Sequence, residues 1–408
     1  MKRLFSFPLI LAVLFAACGG NGGGGTTGPT SGPGGGSGTT TGGSSATGSR
    51  SEHARQPRAG GNFLDVASFP VDAIQTGACP DCIPAVTDPD FVSPGDAGAG
   101  YLRDNDIVMG IVINGEARAY PHNIGWHHEI INDTAGDESV IVTLCPLTGT
   151  GMVFNGVTAG GERIHAGVSG LLFNNNLIMY DRRDRQSLYP QMIYKAVLGP
   201  RQGETLELLP VTECTWEYWK RIHPDTKVID GNGTRYNISH YTQYPYVNPS
   251  QGGDYRTANA YILFPNMDTP TSDLFGAKDL AMGVRFGEMV KAYPFQAMHR
   301  EDVINDVIVE GPKQHPILVV FYRDAQLAIP FSREISVNGQ ATTLTFEKVN
   351  STLSAYPFMV RDSETGTTWN LKGEGVDGTH EGRHLTQLPS HNGFWFAWGT
   401  FWQNLGIH

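Results

Sequence analysis

From residue 62 onward the chain consists of short apolar runs, rich in β-branched residues, separated by Gly, Pro, Asn and Asp. That rhythm predicts strands and tight turns and leaves little room for long helices. Residues 107–113 form such a run, Asn114-Gly115 is a two-residue hairpin signal, and 116–120 is the return strand. Residues 139–144, 151–154, 176–180 and 204–208 have the same character, and 316–322, Asn338-Gly339 and 342–346 continue it. Helical signals are few: a short turn near 123–131, and 214–222 after the stop at Leu209-Pro210. The expected fold is α+β and predominantly β.

The pattern also occurs twice. Asp106-Ile-Val-Met-Gly-Ile111 returns as Asp279-Leu-Ala-Met-Gly-Val284, Ala119-Tyr120-Pro121 as Ala292-Tyr293-Pro294, and Ile131-Asn132-Asp133 as Ile304-Asn305-Asp306, all at an offset of 173. Gly199, Gly203, Leu209-Pro210, Trp216 and Trp219 answer to Gly378, Gly382, Leu388-Pro389, Trp395 and Trp398 at an offset of 179. Order and spacing held over such a length indicate two copies of one unit. The expected organisation is two homologous β-rich repeats packed together, 104–230 and 278–408, with a lead-in at 62–103 and a Tyr-rich linker at 231–277.

The first sixty residues are different in kind. Lys2 and Arg3 precede an apolar run from 4 to 17, too short to span a bilayer core of roughly 30 Å, so 1–18 reads as a secretory signal. Leu14-Phe15-Ala16-Ala17-Cys18 resembles the lipobox of bacterial lipoproteins, which implies lipid attachment at Cys18; an ordinary cleaved signal is the alternative. Gly19 and Gly20 carry no acidic retention signal, which by the same resemblance favours the outer membrane, on its periplasmic or surface face. Residues 19–61 are Gly, Ser and Thr with scattered Pro, a composition expected to form a disordered, flexible tether.

Composition sharpens this picture. The 408 residues carry a net charge of -11, but five basic residues and one acidic one lie in the first sixty, leaving 24 basic against 39 acidic, or -15, on the body. Such a body excludes nucleic acid as a partner, because phosphate recognition needs clustered Lys and Arg. The membrane is the expected partner, through the lipid, and a small-molecule or protein partner stays unidentified.

Chemistry present in one copy only is free to form a site. Cys145 ends a strand whose counterpart ends in Tyr322; His122 answers to Phe295, and His127, His128 and Glu129 to Arg300, Glu301 and Asp302. Cys145 precedes Pro146 and a turn, where it is expected at the rim of a sheet with backbone amides lowering its pKa; a buried structural thiol is the alternative. Neighbours in sequence diverge, so only one of His127 and His128 is expected to reach Cys145, and each has a structural alternative. Cys145 with a His and Met179 or Met192 would suit a transition metal such as copper or zinc. Cys79 and Cys82 read as a local loop-stapling disulfide, with a redox pair or metal ligands as alternatives. No phosphate-binding loop is present, and Gly167-Val168-Ser169-Gly170-Leu171 is no nucleophile elbow. The run Asp181-Arg182-Arg183-Asp184 is expected to be a solvated turn, and the paired tryptophans are expected in the core.

Ala119-Tyr120-Pro121, His127-His128-Glu129, Asn132-Asp133, Cys145-Pro-Leu-Thr-Gly-Thr150, Ser169-Gly-Leu-Leu-Phe-Asn-Asn-Asn-Leu-Ile-Met-Tyr-Asp181 and Ser187-Leu-Tyr-Pro-Gln191 together resemble the bacterial and archaeal family catalogued as domain of unknown function number 3179. The resemblance covers most of 62–408 and implies an exported protein of duplicated architecture with no established activity. Two functional expectations follow: a metal-binding or thiol site around Cys145 and His128, or a surface-tethered binding module for a glycan or envelope protein without catalysis. Whether the protein is an enzyme is left open between them.

Overall fold

Asn114 and Gly115 both take left-handed backbone angles, φ 48° and 83°, as a type I′ hairpin turn requires, and the hairpin forms where its sequence predicts. The structure, a computed structural model, describes residues 66–247, 255–256, 261–264, 274–337, 339–402 and 405–408; the expected signal peptide, lipidated Cys18 and tether lie outside the described residues.

In chain order the first half carries β1 (Ile107–Ile113), β2 (Glu116–Pro121), α1 (His122–His128), β3 (Ile130–Ala135), β4 (Glu138–Cys145) and β5 (Thr150–Asn155). It continues with β6 (Ala166–Phe173), β7 (Asn176–Asp181), β8 (Leu188–Pro190), β9 (Thr212–Thr215), α2 (Trp216–Ile222) and β10 (Lys227–Ile229). The second half carries β11 (Leu280–Phe286), β12 (Met289–Pro294), α3 (Phe295–Met298), β13 (Val303–Glu310), β14 (Lys313–Tyr322) and β15 (Leu327–Ser332). It ends with β16 (Phe346–Asn350), β17 (Phe358–Asp362), β18 (Thr368–Trp369), β19 (Ser390–Phe394), α4 (Trp395–Phe401) and β20 (Leu405–Ile407). The chain is mostly β, in several small sheets.

Strand order is parallel in the two halves. The sheet β9-β1-β2-β10 has the order of β19-β11-β12-β20, and the register agrees: Val108 faces Pro121 as Ala281 faces Pro294. The last strand runs parallel to its neighbour in both. Likewise β3-β4-β5 matches β13-β14-β15. The shared motifs do the same structural work in each half. The hydroxyls of Tyr120 and Tyr293 donate to Asp133 (2.7 Å) and Asp306 (2.8 Å). The side-chain amides of Asn132 and Asn305 exchange a pair of hydrogen bonds with the backbone of Ala166 and of Phe346, joining one sheet to the next.

Neither half closes its core alone. One cluster joins Ile141, Cys145, Phe154 and Met179 to Phe394, Trp395 and Trp398, and another joins Val108 and Trp219 to Leu318, Phe346 and Trp369. The packing is reciprocal: β5 lies beside β19, and β9 beside β15. All four paired tryptophans are buried, as core packing predicts.

Three local expectations need correction. Residues 204–208 form no strand, only isolated bridges at Thr205 and Leu208, and 342–346 is divided between the short strand Gln340–Thr343 and β16. Asp181 is fully buried, because its carboxylate accepts from Arg183 and Arg201 at the base of the turn. Among the described residues of 231–277, Tyr241, Tyr244, Tyr246 and Tyr255 are all buried against the body.

Candidate functional site

Cys145 ends β4 and is 1% exposed. Its Sγ donates a long hydrogen bond (3.5 Å) to the carbonyl of Asn175, a residue that turns the β6–β7 hairpin at φ 65°. The turn after it is roofed. Tyr246 and Tyr255 donate from their hydroxyls to the carbonyls of Pro146 (2.8 Å) and Leu147 (3.1 Å), and the Phe394 amide of the second half donates to the carbonyl of Thr148 (2.8 Å). The thiol is therefore enclosed, where the sequence predicted a rim. Burial pushes its pKa up to about 11, with the Glu129 charge acting in the same direction. The expected lowering by turn amides is outweighed, because removing a thiolate from water disfavours it more than a few amide dipoles favour it. Cys145 and Cys214 are free and buried.

Glu129 is the unusual neighbour. It ends α1 at φ 56° and ψ -35°, its amide bonded to the Gly125 carbonyl and its carbonyl to the amide of Leu144, next to Cys145. The residue is partly exposed, yet enclosure of its carboxyl pushes its pKa up to about 8.

The histidines point elsewhere. His128 Nδ1 donates to the Pro84 carbonyl (2.6 Å) and Nε2 accepts from the Tyr241 hydroxyl (2.7 Å), which itself meets Thr234 at 2.7 Å. Both ring nitrogens are engaged, and burial lowers the pKa to about 4. His127 packs on His240, ring centres 4.4 Å apart, and burial lowers it to about 3. The structure thus brings Cys145 to Glu129, and His127 and His128 to Tyr236, His240 and Tyr241. Among the described residues no group of three or more His, Cys, Asp or Glu side chains is placed to hold a metal ion. Met179 and Met192 lie in the core cluster with Cys145.

Cys79 and Cys82 are joined by a disulfide, their Cα atoms 5.3 Å apart. The bridged loop is held on β6 by the amides of Ala78 and Asp81, which donate to the carbonyls of Gly170 (2.9 Å) and Val168 (2.8 Å), and Arg182 binds Asp81 at 2.8 Å. The pair staples a loop and, as a disulfide, offers no thiolate.

A second polar centre lies at the seam between the halves. His122 Nδ1 is hydrogen-bonded to the Tyr244 hydroxyl (3.0 Å), and its Nε2 is 3.7 Å from Glu213 Oε1. Among the described residues His122 Nε2 and Glu213 Oε2 have no hydrogen-bond partner, and Asn392 of the second half lies beside the carboxyl. Burial lowers His122 to about 3 and raises Glu213 to about 7, so at neutral pH the imidazole is uncharged and the carboxyl is about half protonated. Glu213 was legible in principle, since the offset of 179 sets it against Asn392 and so marks a residue peculiar to the first half.

No curated protein matches the chain, and no solved structure matches it. The family described as Protein of unknown function (DUF3179) matches residues 80–405, a span that includes both polar centres, the disulfide's Cys82 and nearly all of the two halves. The chain therefore belongs to the DUF3179 family.

Proposed function

We propose that this is an exported, lipid-anchored protein of the cell envelope, built from two copies of one unit, whose chemistry is that of the Cys145 thiol with Glu129 as its proton partner. The observation that carries the reading is the pairing itself: a free thiol and a high-pKa carboxyl within electrostatic reach of each other, the carboxyl on a residue with left-handed backbone. The thiol has no like residue at the matching place in the second half, where Tyr322 stands, while Glu129 is matched there by a shorter carboxylic acid, Asp302. In this reading ionised Glu129, whose charge reaches the thiol, is the base that takes the Cys145 proton, and the resulting thiolate is the nucleophile. A metal held by Cys145 with His127 or His128 is the weaker arrangement, because His128 would first have to release Pro84 or Tyr241.

Alkylation of Cys145 by iodoacetamide in the folded full chain, followed by mass spectrometry across pH, tests this, with Cys145→Ser as the blank. The rate is expected to be far below that of free cysteine, to rise first as Glu129 ionises near pH 8 and again toward pH 11. Glu129→Gln should abolish the first rise. A thiol that never reacts while the protein is folded, or one whose profile ignores Glu129→Gln, is a passive core cysteine and ends the proposal.

A further inference from the structure

Where α4 ends over β11, a cleft of about 190 Å³ is lined by Tyr194 and Leu208 of the first half and by Arg285, His391, Trp398 and Trp402 of the second. Gly283 forms its floor, with the Trp398 ring only 2.0 Å from where a Cβ would sit, so the sheet is bare at that point. His391 stacks on Trp398, centres 4.4 Å apart. The Arg285 guanidinium lies 4.5 Å from the ring centre of Tyr194 and 5.0 Å from that of Trp402. Its Nε donates to the Gly287 carbonyl at 2.6 Å. Two donors are left over: Arg285 Nη1 and Trp402 Nε1 are buried without a hydrogen-bond partner. Unpaired buried donors are costly, and two of them in one cleft ask for an acceptor that the described residues do not supply.

The matching place in the first half makes the contrast. Gly110 and Trp219 repeat Gly283 and Trp398, a Cβ on Gly110 again falling on the tryptophan ring. Val112, Thr212 and His223 stand at the positions of Arg285, His391 and Trp402. His223 packs on Trp219 with its ring tilted by 36°, centres 4.1 Å apart. The glycine and tryptophan are thus common frame, while the guanidinium and the indole N–H belong to the second half alone.

We infer that this cleft binds a small carboxylate carried on a ring, with Arg285 Nη1 and Trp402 Nε1 donating to the carboxylate and the aromatic walls packing against the ring. A mostly aromatic lining with a few convergent polar groups is the usual form of a small-molecule site, and Arg is the residue suited to a planar carboxylate. The ring is that of an aromatic acid or of a sugar acid. This site lies apart from Cys145 and does not depend on the thiol reading.

Titration of the full chain, followed by tryptophan fluorescence and calorimetry, tests it with benzoate and glucuronate as the probes, and benzamide and glucose as their uncharged counterparts. One carboxylate is expected to bind about tenfold or more tighter than its neutral counterpart, and which one does so identifies the ring class. Arg285→Gln should weaken that binding by about tenfold or more; Trp402→Phe, which keeps the wall and removes the donor, should weaken it less. Cys145→Ser should leave it unchanged. Circular dichroism monitors folding of each variant, and Trp402→Phe decides the matter if Arg285→Gln fails to fold. The inference is overturned if neither carboxylate binds at millimolar concentration, if neutral counterparts bind equally well, or if the folded variants bind like the wild type.

Discussion

Glu129 combines two unfavourable features. A non-glycine residue at φ 56° and ψ -35° is strained, and its carboxyl is enclosed without a cation beside it. Such costs persist where surrounding structure imposes them, and here the backbone of Glu129 is pinned between Gly125 and Leu144. The carboxyl's titration has a consequence for stability. Its ordinary pKa is 4.5 and its folded value about 8, so between those limits the folded state keeps a proton that the unfolded state has released. This group's contribution to stability must then fall as pH rises through that window, against the opposite trend of the buried histidines below about pH 6.5. Glu129→Gln removes the titration, and the variant should be more stable than wild type at pH 8 by on the order of 1 to 3 kcal/mol, a figure reduced for the residue's part exposure. Urea denaturation across pH checks this; Glu213, raised to about 7, acts with the same sign and leaves a residual slope in the variant.

At the scale of elements, the joint between helix and sheet is a glycine under a tryptophan. A Cβ at Gly110 would fall 2.3 Å from the Trp219 ring, and one at Gly283 would fall 2.0 Å from Trp398, so neither helix can seat if the strand carries a side chain there. Gly110→Ala and Gly283→Ala should each destabilise the protein by about 1 to 3 kcal/mol or more through overpacking. Gly115 is the comparison, because a Cβ there meets nothing within 4 Å and only its φ of 83° opposes substitution. Gly115→Ala should cost about 1 kcal/mol, and thermal denaturation of the three variants should rank it as the mildest. The hairpin itself was legible, because type I′ turns depend on two residues. The strand expected at 204–208 was not, since apolar character alone does not supply a neighbour to pair with.

At the scale of the whole molecule, the two halves complete each other's cores, and Tyr246 and Tyr255 cover the turn that follows Cys145. The proposed anchor belongs to this scale as well. Cys18→Ser should move the protein from the membrane fraction to the soluble fraction of its cell envelope while leaving its fold unaltered, and fractionation with an antibody reads this directly. Retention in the membrane fraction would place the attachment elsewhere.

The sequence alone determined the strand character, the Asn114-Gly115 turn, the buried tryptophan pairs and the recurrence of Tyr120, Asn132 and Asp133, because period, turn chemistry and recurrence are local or repeated signals. It also singled out Cys145. Only the tertiary structure decided that Cys145 lies beneath a roof with a raised pKa, and that His128 turns to Pro84 and Tyr241. The meeting of Glu213 with His122 and Asn392 across the seam was likewise a tertiary result. The reason is physical: a thiol's acidity and a histidine's partners depend on burial and on distances across packed elements, and these follow from how the halves dock, which spacing along the chain does not carry.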